Sequence, residues 1–444
     1  KLNQNRFENL ALLRTAKLCE KTNQIDEGLF ILKSMESKSA LKLKVEFEKK
    51  KNWLKSGYEI DEIINLHKNF SINSIKNKIL YFVHSDLPYV TSGYTVRTQS
   101  VIKALSEQGY IIETAARWGF PLDRDISYYK KEINDEYVDN SGIKHNFDPS
   151  ELGMREVHNK EYIIEGVQKL LIKCQNIRPS VIIAASDHVT GLIGMVVSKI
   201  LNIPFIYEMR GLWAYTRATN NNEYEKTYDF SLRLRLEKQC ALEAERIVVI
   251  SEGLKDLVLK WGVDKNIINI LPNGIGKLKK PINLKKFDSS NIKLGYLGSI
   301  VPYEGLMTSL EAIKKIKENK NYALRLIIAG EGTEKIKLEN FVKENDLIEF
   351  VEFRGRIDHN KIDDFYNEVD GILLPRLSTL VTDIIPPLKP LEAIAKGKVV
   401  ISSTINPHNE LFGNINQSFQ FVQGDVDSQV KTLSLIHISE PTRR

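Results

Sequence analysis

The sequence predicts two doubly wound α/β domains in series, preceded by a short helical segment. Three observations carry this. Near-continuous apolar runs of strand length alternate with amphipathic helical stretches, the pattern of a parallel sheet covered on both faces. The alternation occurs twice, on either side of the lysine-rich stretch Lys277–Asn291. Before about residue 75 no such run occurs, and apolar residues recur at helical spacing instead.

In chain order, "FENLALLRTAKLCEK" and "IDEGLFILKSM" read as two helices, and "SALKLKVEFEKKKNWLKSG" as a third closed by Gly57. This helical segment is assigned to 1–75. The first α/β domain, 76–275, reads as strand "KILYFVH", helix "TVRTQSVIKALSEQG", strand "YIIETAARWG", then "SVIIAASD", helix "TGLIGMVVSKILN", "IPFIYEMRG", a long helix through "LRLRLEKQCALEAE", "RIVVIS" and "IINILPNGIG". The second, 276–432, alternates "IKLGYLGS", "LRLIIAGEG", "IEFVEFRGRI", "DGILLPR" and "KVVISST" with four helical stretches, the last being "LKPLEAIAKG". Residues 433–444 are set aside, because "LSLIHISEPTR" resembles a translated sequencing-library adapter. The natural chain is then expected to continue past Thr432. The first residue is Lys1 and not Met, which leaves the natural N-terminus open.

Composition bounds the class. At 444 residues two or three domains are expected, and 42% hydrophobic with 27% charged residues fits a soluble globular protein. Cys19, Cys174 and Cys240 are few and far apart, without CxxC spacing, so each is expected as a buried small hydrophobe in a reduced, cytosolic compartment. A net charge of +6 suits an anionic small ligand or peripheral contact with anionic lipid. No apolar run approaches the roughly 20 residues that span a bilayer.

Ligands of doubly wound sheets sit beyond the carboxyl ends of strands, so the loops there carry the functional reading. In "TDIIPPLKPLEAIAKGK", Thr382–Lys398, Pro386 and Pro387 fix the approach to a helix whose first turn holds Lys389, Pro390 and Glu392. Backbone N–H groups at that start, with Lys389, could hold a diphosphate, and Glu392 could accept from two ribose hydroxyls. Favourable dipole chemistry would also explain Glu392. "GYLGSI" and "AGEGTEK" follow strands, but the second has Lys335 where a dinucleotide fingerprint needs glycine, which disfavours NAD.

In the first domain Ser92–Gly93 precedes a helix, so the backbone there could approach a ligand closely; a tight strand-to-helix turn is the alternative. "YEMRGLW" ends a strand with Glu208 and Arg210, read as facing a cleft, with a structural ion pair as the alternative. His84, His188 and His408 lack metal-ligand spacing. "DRD", Asp123–Asp125, reads as a solvated turn before a metal motif.

Together, "TSGYTVRTQSVIKALSEQGY", "IPFIYEMRGLW", "ILPNGIG", "GYLGSIVPYEGL" and "PPLKPLEAIAKGK" resemble the GT-B-fold glycosyltransferases, specifically the retaining family-four group, over about Lys78 to Asp425. The resemblance implies two Rossmann-like domains facing a central cleft, and transfer of a sugar from a nucleoside-diphosphate sugar to an acceptor hydroxyl with retention. It implies that Arg356 and Ile357 of "FRGRI" border the base, and that Glu392 holds the ribose. Lys389, Arg376, Pro387 and Leu388 would hold the diphosphate, with Ser299 and Gly93 close by. Tyr94 and Arg97 would border the acceptor, and Lys389, Arg210 and Glu208 would act catalytically. Many relatives carry an Arg and a Lys where Ser299 and Glu304 stand, and an acid where Ile384 stands beside Asp383. No metal and no cofactor beyond the donor are expected. The expected partners are the donor and a glycan or lipid-linked acceptor, with peripheral membrane contact and no nucleic acid. The expected setting is cell-surface glycan or polysaccharide synthesis in the bacterial cytoplasm, at the inner membrane surface if the acceptor is a lipid. A glycoside hydrolase, with Glu208 and Glu392 as its acids, and a non-catalytic nucleotide- or glycan-binding scaffold remain as alternatives.

Overall fold

A computed structural model of the chain describes residues 2–21, 24–56, 60–123, 133–150, 160–219, 222–275, 292–318, 324–358, 361–412 and 419–438. The chain forms two compact units. One comprises Lys1–Val249 with Asp256–Asn269, the other Ile250–Lys255 with Ile270–Arg444. The lysine-rich linker lies outside the described residues.

The first unit opens with α1 (Leu2–Lys21), α2 (Ile25–Leu32), α3 (Lys38–Ser56) and α4 (Ile60–Leu66). The fourth, "IDEIINL", is not among the helices expected from the sequence; it buries Ile60 and Ile63, three positions apart, and has Asp61 and Glu62 in its first turn. The helices are part of the first unit. Then follow β1 (Lys78–Val83), α5 (Gly93–Glu107), β2 (Ile111–Ala116), β3 (Glu136–Val138), β4 (Lys144–Asn146), α6 (Lys160–Ile177), β5 (Val181–Ala185), α7 (His188–Leu201), β6 (Phe205–Met209), α8 (Trp213–Ala218), α9 (Tyr228–Glu243), β7 (Arg246–Val249), α10 (Glu252–Lys260), which begins in the second unit and continues in the first, and β8 (Ile268–Ile270). The sheet order is β3-β4-β2-β1-β5-β6-β7-β8. Pairs from β4 through β7 are parallel, and β3 runs antiparallel to β4. The order reverses between β1 and β5, both flanking the centre.

Helix α7 is buried on nearly every side, as expected of a helix covered by sheet and by neighbouring helices α4, α6 and α9. Gly191 makes this approach possible: a Cβ there would lie 2.7 Å from the Tyr207 ring and 2.9 Å from Cys240 Sγ. Helices α3 and α4 pack on α9 and α7, so the N-terminal segment covers the outer helices of this sheet. All three cysteines are buried thiols outside any disulfide.

The second unit carries β9 (Ile292–Leu297), α11 (Leu306–Glu318), β10 (Leu324–Ala329), α12 (Lys335–Glu344), β11 (Val351–Gly355), α13 (Ile362–Glu368), β12 (Gly371–Leu374), α14 (Leu380–Ile384), α15 (Lys389–Ala395), β13 (Val399–Ser403), α16 (Asn406–Phe412), β14 (Gln420–Phe421) and α17 (Val426–Ile438). Its order, β11-β10-β9-β12-β13-β14, is the 3-2-1-4-5-6 arrangement of a dinucleotide-type sheet, parallel throughout. Alternation along β10 fills both faces. Leu324, Leu326 and Ile328 join the core under α11 and α12, while Ile327 and Ala329 join the opposite one with Phe365 and Tyr366. Each buried Leu, Ile or Phe among them stabilises the fold by roughly 1.5–3 kcal/mol.

Helix α17 runs through Ile438, into the residues set aside from 433 on, and Leu433 packs in the core with residues of β9 and β10. One expectation is corrected here. Asp123 is not a solvated turn residue: it is buried and ion-paired with Arg117, because the buried guanidinium requires a counter-charge. Residues 124 and 125 lie outside the described residues.

Candidate active site

In the second unit the order reverses between β9 and β12, and the loops leaving these strands meet. Glycines let their backbones touch. A Cβ on Gly330 would lie 1.8 Å from the Gly298 carbonyl oxygen, one on Gly332 2.1 Å from that of Ile300, and one on Gly305 2.0 Å from that of Pro375. Gly298 has φ +152° and Gly305 φ +70°, conformations that favour glycine. Hydrogen bonds Gly298 N–H to Ala329 O at 2.9 Å and Leu377 N–H to Tyr303 O at 2.9 Å fasten the three loops together.

Into this junction project Glu304, Lys389 and Arg376. The Lys389 Nζ lies 2.8 Å from one carboxylate oxygen of Glu304, and Arg376 Nε lies 3.6 Å from the other. Lys389 also donates to the Tyr296 hydroxyl at 2.9 Å and lies 4.5 Å from that ring's centroid. Tyr296 in turn donates to the Ser299 carbonyl at 2.6 Å. Arg376 lies over the Tyr303 ring, 5.5 Å from its centroid. Arg376 is buried, and its Nε and Nη1 have no hydrogen-bond partner among the described residues.

The electrostatics follow from burial and pairing. Burial would raise the Glu304 carboxyl, but Lys389 and Arg376 outweigh it and hold it below the usual carboxylate range. Burial pushes the Lys389 amine down, and Glu304 offsets only part of that because Arg376 acts with burial.

The double proline has a structural role. Pro386 and Pro387 wall an apolar recess of about 260 Å³ with Ile250, Pro272 and Leu411. Asn273 Nδ2 donates to the Pro386 carbonyl at 3.2 Å, and Ser251 Oγ to that of Ile384 at 2.5 Å. These contacts deliver Lys389 to the start of α15 at a fixed angle. Helix α15 has only seven residues and Leu388 gives it no side-chain cap. Positive charge at this point therefore comes mainly from Lys389 and Arg376, and less from the helix start than the sequence suggests. Glu392, one turn on, is exposed and accepts from the Tyr366 hydroxyl. Pro387 and Leu388 are half-buried, Ser299 and Arg356 exposed, and Ile357 packs on the core beside α13. Asp383 accepts from Ser378 Oγ.

In the first unit Ser92 caps α5 reciprocally with Thr95, and Gly93 is exposed at its first position. The sequence aims Glu208 and Arg210 at a ligand, but the structure buries both. Glu208 takes Arg97 Nε at 2.9 Å on one oxygen, and Arg210 Nη2 at 2.7 Å with the Tyr81 hydroxyl on the other. Arg210 also donates to the Tyr94 carbonyl at 3.0 Å and Thr98 Oγ1 at 2.8 Å, and lies 4.5 Å from the centroid of the Tyr94 ring. Burial raises the Glu208 carboxyl, yet Arg210 and Arg97 win and keep it ionised. The pair therefore ties the end of β6 to the first turns of α5. Tyr94 closes the same knot, accepting from His84 N–H at 2.9 Å and donating to Ala185 O at 3.1 Å.

Sequence reasoning noted Glu304 only as a departure and gave no role to Tyr296, Tyr81 or Tyr366. The signal for Glu304 was available: an acid in a loop where relatives carry a cation implies a cation supplied from elsewhere. The tyrosines carry none, since each is one aromatic on an otherwise apolar strand or helix face. Among the described residues no three His, Cys, Asp or Glu side chains converge as metal ligands would.

Comparison with known proteins agrees with this architecture. Residues 92–274 match the model of the glycosyl transferase 4-like domain, and residues 280–444 that of the glycosyl transferases group 1. A glycogen synthase of Mycobacterium tuberculosis is 23% identical over 164 residues, 37% of this chain, and that match spans only 38% of the curated relative's length. Sucrose-phosphate synthase from Thermosynechococcus elongatus shares the fold with a TM-score of 0.62 at 18% identity, over 82% of this chain and 90% of that one. Anabaena HepE, solved with UDP and glucose, gives 0.57 at 15% identity over 82% and 90%. WaaG, a glycosyltransferase involved in lipopolysaccharide biosynthesis, gives 0.58 at 14% identity over 82% and 91%. With both α/β units matched by adjoining models and the two-domain GT-B fold shared along their length, the chain belongs to the group 1 glycosyltransferases.

Proposed function

We propose that this chain transfers a glycosyl group from a nucleoside-diphosphate sugar to an acceptor hydroxyl, with retention at the anomeric carbon and without a divalent metal. The observation that carries the reading is the meeting of Lys389 and Arg376 at the strand-order reversal of a 3-2-1-4-5-6 sheet, where Arg376 keeps unbonded N–H groups. Negative charge develops on the leaving diphosphate, and prearranged cations stabilise it most. Glu392 holds the ribose, oriented by Tyr366, and the backbone at Arg356–Ile357 borders the base. The leaving phosphate oxygen takes the acceptor proton, so no protein base is required. HepE has been solved with UDP-glucose, which supports a donor of this class.

In the first unit Glu208 holds Arg97 and Arg210, and Tyr94 and Gly93 present the start of α5 to the acceptor. The hydrolase alternative fits less well. Glu208 would have to protonate a leaving group, yet both its oxygens are taken and its carboxyl is held ionised. The acceptor is a glycan or lipid-linked glycan, reached at the cytoplasmic face of a membrane by peripheral contact. No helix of the described residues is long and apolar enough to cross one.

The test is a thermal-shift panel of UDP, GDP, ADP, their sugar conjugates and NAD on the parent chain and Glu392→Ala. A shift with one nucleoside diphosphate, lost in the variant, supports the reading and names the base. Stabilisation by NAD alone, or an equal response in Glu392→Ala, would overturn it.

A further inference from the structure

We propose that Glu304 is the positioning residue of the phosphate subsite: its buried carboxylate gathers Lys389 and Arg376 into one cation pair and keeps the Lys389 amine charged while no donor is bound. The inference rests on the donor-site reading above and adds a residue to it.

Glu304 cannot swing away. It ends the single turn Pro302–Glu304, closed by Gly305 in the left-handed region. That glycine packs on the Pro375 carbonyl, and Leu377 N–H bonds Tyr303 O, so the loops carrying Glu304 and Arg376 are bolted together. One carboxylate against two cations leaves one positive charge in excess, and Arg376 Nε and Nη1 remain unbonded. Buried guanidinium donors without acceptors are costly. An anion with several oxygens, such as a diphosphate, supplies the missing acceptors and the second negative charge.

Without Glu304 the two cations would face each other with no counter-charge between them. Arginine keeps its proton in proteins, so the lysine would give way. A neutral amine brings no charge to a diphosphate. Glu304 therefore weakens the net field by one charge and in return secures the ammonium. The other groups within electrostatic reach do not replace it. Tyr296 and Tyr303 are neutral, their hydroxyls pushed up chiefly by burial. Burial drives His408 of α16 down to about 4, so it is neutral too. Arg376 opposes the lysine's charge, and Glu392, on the lysine's own helix, is exposed.

The experiment follows Lys389 acetylation by an amine-reactive reagent, read by peptide mass spectrometry from about pH 7 to 9 without nucleotide, in parent and Glu304→Gln. Losing an opposite charge at this distance moves an amine by about one unit or more, so the variant's Lys389 should react roughly tenfold faster near pH 8. Superimposable pH profiles would overturn the proposal. Glu304→Asp keeps the charge and should restore the parent profile; an aspartate variant that titrates like the glutamine one counts against a charge role. Should E304Q not fold, E304Q/R376M removes one charge of each sign; its Lys389 should still react faster than the parent's but by less than tenfold, because Arg376 no longer opposes the ammonium, and a parent-like profile would again overturn the proposal. A second arm titrates UDP, GDP and ADP calorimetrically over the same range. E304Q affinity should fall more steeply than parent affinity as pH rises. If the parent binds none of them, the donor-site reading fails, while the amine profile still decides what Glu304 does. If parent and E304Q bind equally at every pH, this inference fails and the donor site stands.

Discussion

A Cβ on Gly298 would come within 2.5 Å of Lys389 Cε and 2.7 Å of its Nζ. The lysine amine thus lies directly on a glycine whose φ of +152° few other residues adopt. Gly298→Ala is disfavoured twice, by backbone strain of about 1–3 kcal/mol and by displacement of the amine from Tyr296. The expected outcome is a sharp loss of nucleoside-diphosphate affinity from a chain that still folds. Calorimetric titration beside a circular-dichroism melt checks it, and parent-like affinity would remove Lys389 from the phosphate subsite.

Lys389→Met should act on chemistry more than on folding. Arg376 still faces Glu304 at 3.6 Å, so the carboxylate keeps a counter-charge. Loss of one prearranged donor to a developing anion typically lowers turnover by about 10²–10³. Steady-state sugar transfer with the donor named by the panel measures this, and near-normal turnover would show that the lysine does not act in the reaction.

The Glu208 knot should behave as structure. Arg210→Met leaves Glu208 with Arg97 and Tyr81 only, and breaking a buried ion pair costs about 3–5 kcal/mol. The double variant Arg210→Met/Glu208→Gln should lose less than the sum of the two single losses, because once one partner is gone removing the other breaks no further contact between them. Urea denaturation of the single and double variants gives the coupling. Additive losses would mean that the pair does not interact as its 2.7 Å contact implies.

Stability should fall as pH rises, through Glu237. Burial pushes its carboxyl up to about 8, although a Tyr207 hydroxyl donates to it at 2.5 Å. In the unfolded chain a glutamate ionises near 4.3. Between those values the native state binds the proton and the unfolded state does not, so stability declines across that window. His145 acts in the same sense. Burial lowers it, but Asp86 and Asp139 outweigh that and raise it, so its contribution is full below about 6.5, declines as pH rises toward its elevated pKa and is gone above it. Glu237→Gln should flatten the decline between about pH 5 and 8. Denaturant midpoints at three pH values test it, and an unchanged slope would rule Glu237 out.

Much of the fold was legible because it is written in local periodicity. "KILYFV" and "LRLIIA" are strands since both faces of a covered sheet need apolar side chains, and "LEAIKKIKE" is a helix since only one face does. The hairpin β3–β4 escaped notice because strands of three residues, such as "EYV" at the sheet edge and "KHN" beside it, are too short to carry such a pattern. Lys389 and Glu392 could be found because both belong to one helix start, so their spacing is local.

By itself, then, the sequence determined two doubly wound units, their strands and helices, and a lysine and a glutamate in the first turn of α15. Only the tertiary structure decided that Glu304 sits between Lys389 and Arg376, and that Glu208 is buried between Arg97 and Arg210. The reason is physical. Periodicity records how one segment meets its own core, whereas an ion pair depends on which loops the strand order brings to the same place, and strand order leaves no trace in the spacing of apolar residues.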